Sequence, residues 1–136
     1  MKEHPIQIGD VLVVTLPQHF PFGHEQEGIR PAVVVGLPQR LGKPRYPMLL
    51  IAPLTTQDGQ WAKKEWGLYP TLEAETGGLT KPSVVLLDHL RAIDQNRIKR
   101  YIGNINLEDF AEIQERVLLM FKLPPPYGDY LAKQSS

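Results

Sequence analysis

The sequence of 136 residues contains no cysteine. This absence excludes disulfide bonds and thiolate zinc sites, and it suits a reducing cytosol. Long hydrophobic runs are also absent: the most apolar segments, such as Val11–Leu16 and Ala32–Leu37, are far shorter than the roughly 20 residues of a transmembrane helix. Residues 1–10 lack the apolar stretch of a signal peptide. We therefore expect a cytoplasmic protein with no membrane partner.

Net charge is lacking as well, because 15 Lys and Arg residues balance 15 Asp and Glu residues. This balance argues against a protein that coats nucleic acid through bulk electrostatics, although it leaves room for a local basic groove. The charges are segregated along the chain. Residues 81–100 carry five basic against two acidic side chains, and residues 101–121 carry one basic against four acidic side chains. Such a pattern fits a solvated face or a binding groove.

The chain does contain many turn-forming residues, with 13 prolines and 11 glycines. Frequent punctuation of this kind favours short strands over long helices. Apolar and β-branched runs predict strands at Val11–Leu16, Arg30–Leu37, Met48–Leu54, Ser83–Ile93 and Tyr101–Ile105, with a short edge strand within Leu68–Leu72. One helical turn is compatible with Gln60–Glu65.

A single strong helix is predicted at Leu107–Lys122. Asn106 is a suitable N-cap, and acidic residues in the first turn complement the helix dipole. Apolar residues at helical spacing predict a stripe that packs on the sheet, formed by Leu107, Phe110, Ile113, Val117 and Met120 or Phe121. We expect a mainly β fold with α structure (α+β): a small, strongly bent antiparallel sheet or barrel with a C-terminal helix. Residues 1–123 form one domain in this interpretation, and residues 124–136 form a Pro-rich tail.

Three segments carry a resemblance to a known family. The first contains Gly9-Asp10, then Gly23-His24-Glu25-Gln26, Gly28 and Arg30-Pro31-Ala32-Val33-Val34. The second is Ala52-Pro53-Leu54-Thr55-Thr56-Gln57, and the third runs from Pro82 to Asp94. In this order and spacing, over about residues 9 to 121, they resemble the MazF/PemK toxins of type II toxin–antitoxin systems.

The resemblance implies an SH3-like barrel of the CcdB/PemK-like plasmid maintenance toxin fold. It also implies an endoribonuclease (an mRNA interferase) that cleaves single-stranded RNA without metal or cofactor and inhibits growth. A homodimer and a MazE/PemI-like antitoxin are the implied protein partners. Two departures stand out: His89 replaces the usual Gln of the third motif, and Leu86 stands where some members have Arg.

Metal-free cleavage by the 2′-hydroxyl of RNA requires a base, an acid and a cation that stabilises charge on phosphorus. Arg30 is the predicted cation, because a guanidinium matches phosphate oxygens with a planar fork and stays protonated. The alternative is a structural pairing of Arg30 with Glu25 or Asp88. Thr55 is a second catalytic candidate, since its hydroxyl could bind a phosphate oxygen, although it could also merely close a strand.

His24, Glu25 and Asp88 are the catalytic candidates for proton transfer, with their division into acid and base left open. Imidazole suits such work near neutral pH, but a lone loop histidine is usually only solvated. Asp88 at an apolar strand end needs a partner, and Arg91 or Arg30 is the structural answer. If the strand continues through this segment, His89 lies on the face opposite Asp88.

RNA contacts are expected from polar, aromatic and basic residues near the same loops. The candidates are Gln26, Thr56, Phe20, Phe22, Gln57 and Lys81. The four histidines match no metal-binding spacing, and no metal site is predicted.

Two other interpretations remain open. One is a non-enzymatic binder on the same fold, like the gyrase-poisoning toxins. The other is an inactive member that binds RNA or an antitoxin without turnover. The Arg30 and Thr55 motifs favour the nuclease, because a gyrase binder has no need of a phosphate site.

Overall fold

The computed structural model describes residues 5–21, 23–57 and 59–124. The strands are β1 (Asp10–Leu16), β2 (Gly28–Gly36), β3 (Met48–Thr55), β4 (Thr71–Leu72), β5 (Ser83–Val85), β6 (Arg91–Asp94) and β7 (Ile98–Asn104). Two α-helices, α1 (Gln60–Lys64) and α2 (Leu107–Met120), complete the fold together with short 3₁₀ turns. The predicted turn at 60–65 is thereby confirmed, whereas the edge strand predicted within Leu68–Leu72 is reduced to its last two residues, after Pro70.

All strand pairs are antiparallel, in the order β4-β5-β3-β2-β1-β7. Strand β3 is paired along one edge with β2. Along its other edge, its first half pairs with β6 and its end pairs with β5. Register shifts interrupt the pairing of β1 with β7 and of β2 with β3, and such irregularities bend and twist a sheet. The predicted bent antiparallel sheet with a C-terminal helix is confirmed.

The single strand predicted at Ser83–Ile93 is wrong. The segment forms β5, then a 3₁₀ turn at Leu87–His89, then β6. The turn shifts the chain from the end of β3 to its first half. Because Leu86 and Leu87 remain buried in the turn, the apolar run looks like one strand in the sequence.

Alternation along β1, β2 and β3 divides their buried residues between two clusters. One cluster lies beneath α2 and includes Val11, Val33, Ala52, Leu54 and Ile113. The other lies on the opposite face of the curved sheet, and its main members are Leu12, Val14, Val34, Leu49 and Ile51. Each of β1, β2 and β3 thus sends neighbouring residues into different clusters, which fixes its register.

Helix α2 begins as predicted, because Asn106 Oδ1 accepts a hydrogen bond from the backbone N–H of Asp109 at 2.9 Å. Phe110 and Ile113 are buried. The predicted stripe is wrong at its ends: Leu107 is 88% exposed, and Met120 and Phe121 are 44% and 66% exposed. The helix packs on the sheet through its middle turns only, so both ends extend beyond the core.

Asp10 of the first motif and the turn at Gly78 have structural roles. The buried Asp10 accepts hydrogen bonds from Gln7 N and from Asn104 Nδ2, both at 2.8 Å, and so joins the start of β1 to the end of β7. The turn containing Gly78, with a φ of 82°, packs so closely on β7 that a Cβ atom there would lie 2.7 Å from the carbonyl oxygen of Ile102. None of the helices in the described ranges is long and apolar enough to cross a membrane.

Candidate functional site

The site loop, defined here as residues 17–21 and 23–27, connects β1 to β2. Its two ends are tied together by Glu27, whose Oε2 accepts hydrogen bonds from the backbone N–H of His19 at 2.7 Å and from His19 Nδ1 at 3.1 Å. The backbone hydrogen bond, followed by the imidazole hydrogen bond, lowers the pKa of Glu27 below its usual value. The loop is therefore closed on itself before any substrate binds.

The acid–base pocket is a cavity of about 540 Å³ between the site loop and the turn that follows β5. It brings together four of the predicted site residues, His24, Glu25, Gln26 and Asp88. Its other lining residues are His19, His89, Leu90, Arg91 and Ala92. Sequence reasoning missed His19 as a site residue, because nothing in the spacing of residues 19 and 91 shows that the fold brings them together.

A chain of hydrogen bonds crosses the acid–base pocket. Tyr69 OH donates to Asp88 Oδ2 at 2.6 Å, and Asp88 Oδ1 lies 2.9 Å from His89 Nδ1. His89 Nε2 lies 3.0 Å from the carbonyl oxygen of His24 in the site loop. The hydrogen bond to Asp88, followed by partial burial, raises the pKa of Tyr69 to about 12. The turn at 87–89 is thereby tied to the site loop.

Two expectations about Asp88 are corrected by this geometry. Asp88 and His89 do not lie on opposite faces of a strand, since the 3₁₀ turn lets the two side chains bond to each other. The hydrogen-bond partners of Asp88 are Tyr69 and His89, not Arg91 or Arg30. Arg91 contacts His19 instead, with 3.4 Å between Arg91 NH1 and His19 Nε2.

Glu25 lies close to a glycine of the first motif. Its carboxylate folds back over Gly23 and so lies near the loop backbone. Both Glu25 and His24 are exposed, which leaves them accessible to a ligand in the pocket.

The cationic groove is a second depression, of about 520 Å³, and it contains three basic residues, Arg30, Lys81 and Arg100. Thr56 and Tyr101 also line it, and none of the described lining residues is acidic. Arg30, Thr56 and Lys81 were predicted as site residues. Arg100 and Tyr101 were missed, although the excess of basic residues at 81–100 was a usable signal for Arg100.

Arg30 connects the two depressions. It lines the cationic groove, while its Nε donates a hydrogen bond to the carbonyl oxygen of Glu27 at 2.9 Å, and Glu27 in turn holds His19 of the acid–base pocket. The structural pairings considered for Arg30, with Glu25 or Asp88, do not form. The guanidinium is exposed and retains its other N–H groups for a ligand.

Thr55 lies at the end of β3, near the start of β2. Ala32 of β2 lies opposite Pro53 of β3, so continuing the antiparallel register by two residues on each strand brings Arg30 and Thr55 to the same level. Thr55 Oγ1 accepts a hydrogen bond from the backbone N–H of Gln57 at 3.2 Å, and its own O–H stays available as a donor.

The remaining predicted contacts are less defined. Phe20 is 76% exposed on the site loop, and Gln57 is exposed after β3, but neither lines the two depressions. Phe22 lies outside the described residues, as do residues 125–136, which make up nearly all of the predicted Pro-rich tail. Within the described ranges, no group of three or more His, Asp or Glu side chains is placed to hold a metal ion.

The comparisons of this sequence with known proteins agree on one family. A family model described as "PemK-like, MazF-like toxin of type II toxin-antitoxin system" matches residues 7–121. The chain is 28% identical over 95 residues to the endoribonuclease MazF of Staphylococcus saprophyticus, an alignment that covers 70% of this chain and 75% of that protein.

Solved structures show the same fold. MazF (Form-I) from Deinococcus radiodurans superposes with a TM-score of 0.64 at 22% identity, covering 89% of this chain and 100% of that one. An endoribonuclease in complex with its cognate antitoxin, from a mycobacterial species, gives a TM-score of 0.58 at 16% identity, covering 92% of this chain and 100% of that one. The family model spans most of the chain and the fold agrees with it, so the predicted resemblance is confirmed: this protein belongs to the PemK-like, MazF-like toxins of type II toxin–antitoxin systems.

Proposed function

We propose that this toxin is an endoribonuclease that cuts single-stranded RNA without a metal ion. The observation that carries the proposal is the position of Arg30, which lines the cationic groove and is joined through Glu27 and His19 to the acid–base pocket. A cation between a phosphate-binding surface and a set of proton-transfer groups is what RNA cleavage requires. The curated relative, at 28% identity, is itself named an endoribonuclease.

The cationic groove suits the backbone of a single strand. Arg30, Lys81 and Arg100 supply positive charge without a nearby acidic lining residue, and Tyr101 supplies an aromatic ring. Basic grooves with aromatic side chains are typical of single-strand binding, because the cations follow the phosphates and the rings contact bases. The zero net charge of the chain is compatible with this role, since the positive charge is concentrated in one place.

In the proposed reaction the 2′-oxygen of RNA attacks the adjacent phosphorus and the 5′-oxygen leaves. One protein group takes the proton of the 2′-hydroxyl, and another gives a proton to the 5′-oxygen. The products carry a 2′,3′-cyclic phosphate and a 5′-hydroxyl. Arg30 stabilises the negative charge that builds on the phosphate oxygens, and the O–H of Thr55 donates to one of them.

The proton-transfer groups are assigned to His24 and Glu25. Both are exposed on the site loop and line the acid–base pocket. Asp88 is the second choice for the base, because each of its carboxylate oxygens already accepts a hydrogen bond, from Tyr69 and from His89. Those bonds suit a group that orients its neighbours, so we assign Asp88 a positioning role in preference to the role of base.

Protein partners follow from the same proposal. Two of the structural relatives are described as MazE–MazF assemblies of Deinococcus radiodurans and a third as an endoribonuclease with its cognate antitoxin. We propose that this chain is a homodimer that is blocked by a MazE/PemI-like antitoxin in the cytoplasm. Exposed apolar side chains at the end of α2, including Leu118, Leu119 and Phe121, support a protein partner, since such clusters are uncommon on isolated monomers.

The test is cleavage of a long single-stranded RNA in excess EDTA, with mapping of the cut ends. We expect cuts at a short recurring sequence with 2′,3′-cyclic phosphate and 5′-hydroxyl ends. Arg30→Ala should lower kcat by about 10²- to 10³-fold, the usual effect of removing one preorganised charge-stabilising donor. Because Arg30 is exposed, the melting temperature should not change. Arg40→Ala, an exposed arginine outside both depressions, is the matched control.

Equal turnover in folded Arg30→Ala would remove Arg30 from the site. RNA that stays intact across several substrates would favour the alternative proposal, a non-enzymatic toxin that binds a protein such as gyrase, or an inactive member that binds RNA or antitoxin. A binding measurement with the uncut RNA separates these alternatives, because only a member that binds RNA without turnover should bind it.

A further inference from the structure

We propose that His89, in its protonated form, is a positioning residue that holds the site loop against the turn of Asp88, so that the acid–base pocket is assembled below the pH at which this imidazole loses its charge. The inference rests on the proposed nuclease function for its effect on cleavage, but the loop contact itself can be measured without RNA. Imidazole is the side chain whose charge ordinarily changes between about pH 5 and 8.

The His89 ring needs two N–H groups to make both of its hydrogen bonds. His89 Nδ1 lies 2.9 Å from Asp88 Oδ1, and His89 Nε2 lies 3.0 Å from the carbonyl oxygen of His24. A carboxylate and a carbonyl are both acceptors, and neither can donate. A neutral imidazole has one N–H, whereas the protonated ring has two. Only the charged ring can satisfy both contacts, and the neutral ring would turn a lone pair toward one of the two oxygens.

Asp88 is fixed in the role of acceptor. Its second oxygen, Oδ2, accepts a hydrogen bond from Tyr69 OH at 2.6 Å. The raised pKa of Tyr69, about 12, keeps the phenol protonated throughout the physiological range. The carboxylate therefore receives a proton donor on one side from Tyr69 and on the other from His89, and a charge-assisted hydrogen bond to His89 is stronger than a neutral one.

Other ionisable groups of the pocket act on His89 in both directions. Asp88 is its direct ion-pair partner, with 23% of the His89 side chain exposed. Glu25, on the facing site loop, also favours a positive charge. Arg91, His24 and His19 line the same pocket and disfavour that charge when they are themselves charged. The His89 ring makes its hydrogen bonds with Asp88 and with the His24 carbonyl.

His19 provides the contrasting case within the same pocket. Its Nδ1 faces the acceptor Glu27 at 3.1 Å, and its Nε2 faces the donor Arg91 NH1 at 3.4 Å. One acceptor and one donor match the neutral ring, which has one N–H and one lone pair. The two histidines thus hold the site loop with opposite protonation requirements, and raising the pH should weaken the His89 contact alone.

Loss of the His89 contact should affect catalysis through position. His24 and Glu25, the proposed proton-transfer groups, belong to the segment whose carbonyl His89 binds. Small displacements of such groups slow a reaction strongly. We expect kcat to fall as the pH rises through the His89 transition, by up to about tenfold per pH unit for a single titrating group, with little change in KM.

The experiment compares wild type with His89→Gln and His89→Ala. Glutamine does not titrate, and its single amide nitrogen can donate to one of the two oxygens that the charged imidazole holds. His89→Gln should therefore lower kcat less than His89→Ala does, and it should lose the fall in kcat that is specific to His89. His89→Ala should show a lowered kcat at every pH. His24 and His19 are the same in all three proteins, so the difference between the profiles isolates His89.

A second measurement needs no cleavage. Backbone hydrogen exchange of the site loop at pH 6 and pH 8.5, corrected for the intrinsic effect of pH, should show a loss of protection at the higher pH in wild type. His89→Gln should show equal protection at both values. A wild-type loop that exchanges identically at the two pH values, or that behaves like His89→Ala at pH 6, would overturn the proposal. RNA left uncut while loop protection follows His89 would instead defeat the proposed nuclease function and leave the positioning role standing.

Discussion

The acid–base pocket and the cationic groove hold their charged groups in different ways. In the pocket, the side chains of Asp88, His89 and His19 all have hydrogen-bond partners within the protein. In the groove, Lys81 and Arg100 form no ion pair with a described residue. Proton transfer depends steeply on distance, and the His89 contact holds the backbone of the loop that carries His24 and Glu25. Attraction of a phosphate backbone acts over several ångströms and tolerates mobile side chains.

The largest difference should appear when the groove is neutralised. Lys81→Ala combined with Arg100→Ala removes two of its three cations. We expect KM for RNA to rise at least tenfold at low salt, and kcat at saturating RNA to stay near the wild-type value. Each lost phosphate contact should reduce the slope of log affinity against log salt by about 0.7. Cleavage rates measured at several salt concentrations check both expectations.

Lys99→Ala combined with Arg97→Ala is the matched control, because these exposed basic residues lie close in sequence but do not line the groove. An equal loss in the control would point to a diffuse electrostatic effect. A fall in kcat with unchanged KM in the groove variant would break the distinction between the two regions, since it would show that the groove takes part in the chemical step.

The two regions also differ in how far the sequence predicted them. Arg30, Thr56 and Lys81 of the groove were predicted from local motifs and charge, and the cap at Asn106 followed from local rules in the same way. The partnership of Tyr69 with Asp88 joins residues 19 positions apart, and that of His89 with His24 spans 65 positions. Such contacts depend on how β5, the turn and β6 follow the bend of the sheet, and no local pattern encodes them.

The break between β5 and β6 shows the physical reason for the main error. Leu86 and Leu87 are buried although they are not in a strand, so hydrophobicity alone could not separate a turn inside the core from a continuous strand. The same error placed His89 on the wrong side of Asp88. The exposed ends of the α2 stripe have a related cause, because helical periodicity predicts a face but not how far the sheet beneath it extends.

Tyr69→Phe tests whether the pocket depends on its hydrogen bonds. Loss of the bond to Asp88 should lower the free energy of unfolding by about 1 kcal/mol, near the low end for a bond to a charged group because Asp88 is exposed. The pKa of Tyr69 is raised from 10.0 to about 12 in the folded protein. This stabilisation is therefore complete below pH 10 and is lost as the pH rises through 12.

Urea unfolding of wild type and Tyr69→Phe at pH 8 and pH 11 measures this dependence. The difference between the two proteins should be smaller at pH 11. Tyr46→Phe, an exposed tyrosine outside both depressions, serves as the control and should show no such change. A difference that is the same at both pH values would mean that the Tyr69 hydroxyl does not stabilise the folded pocket through Asp88.

The smallest effect is expected at the tether of the site loop, with Glu27→Gln. The hydrogen bonds from His19 lower the pKa of Glu27 in the folded protein below 4.5. The carboxylate therefore adds stability above pH 4.5, and this contribution disappears as the pH falls through the lower folded value.

In Glu27→Gln the side chain keeps an acceptor oxygen but loses the charge, so the melting temperature at pH 7 should fall slightly. The difference from wild type should vanish once the pH lies below the lowered pKa of Glu27. Glu73→Gln, at an exposed glutamate, controls for the general effect of charge. If the Glu27→Gln difference stayed constant as the pH fell below that value, the ionised carboxylate would not be what closes the loop. The contrast between a tethered pocket and an open groove would then rest on the hydrogen bonds of Asp88 and His89.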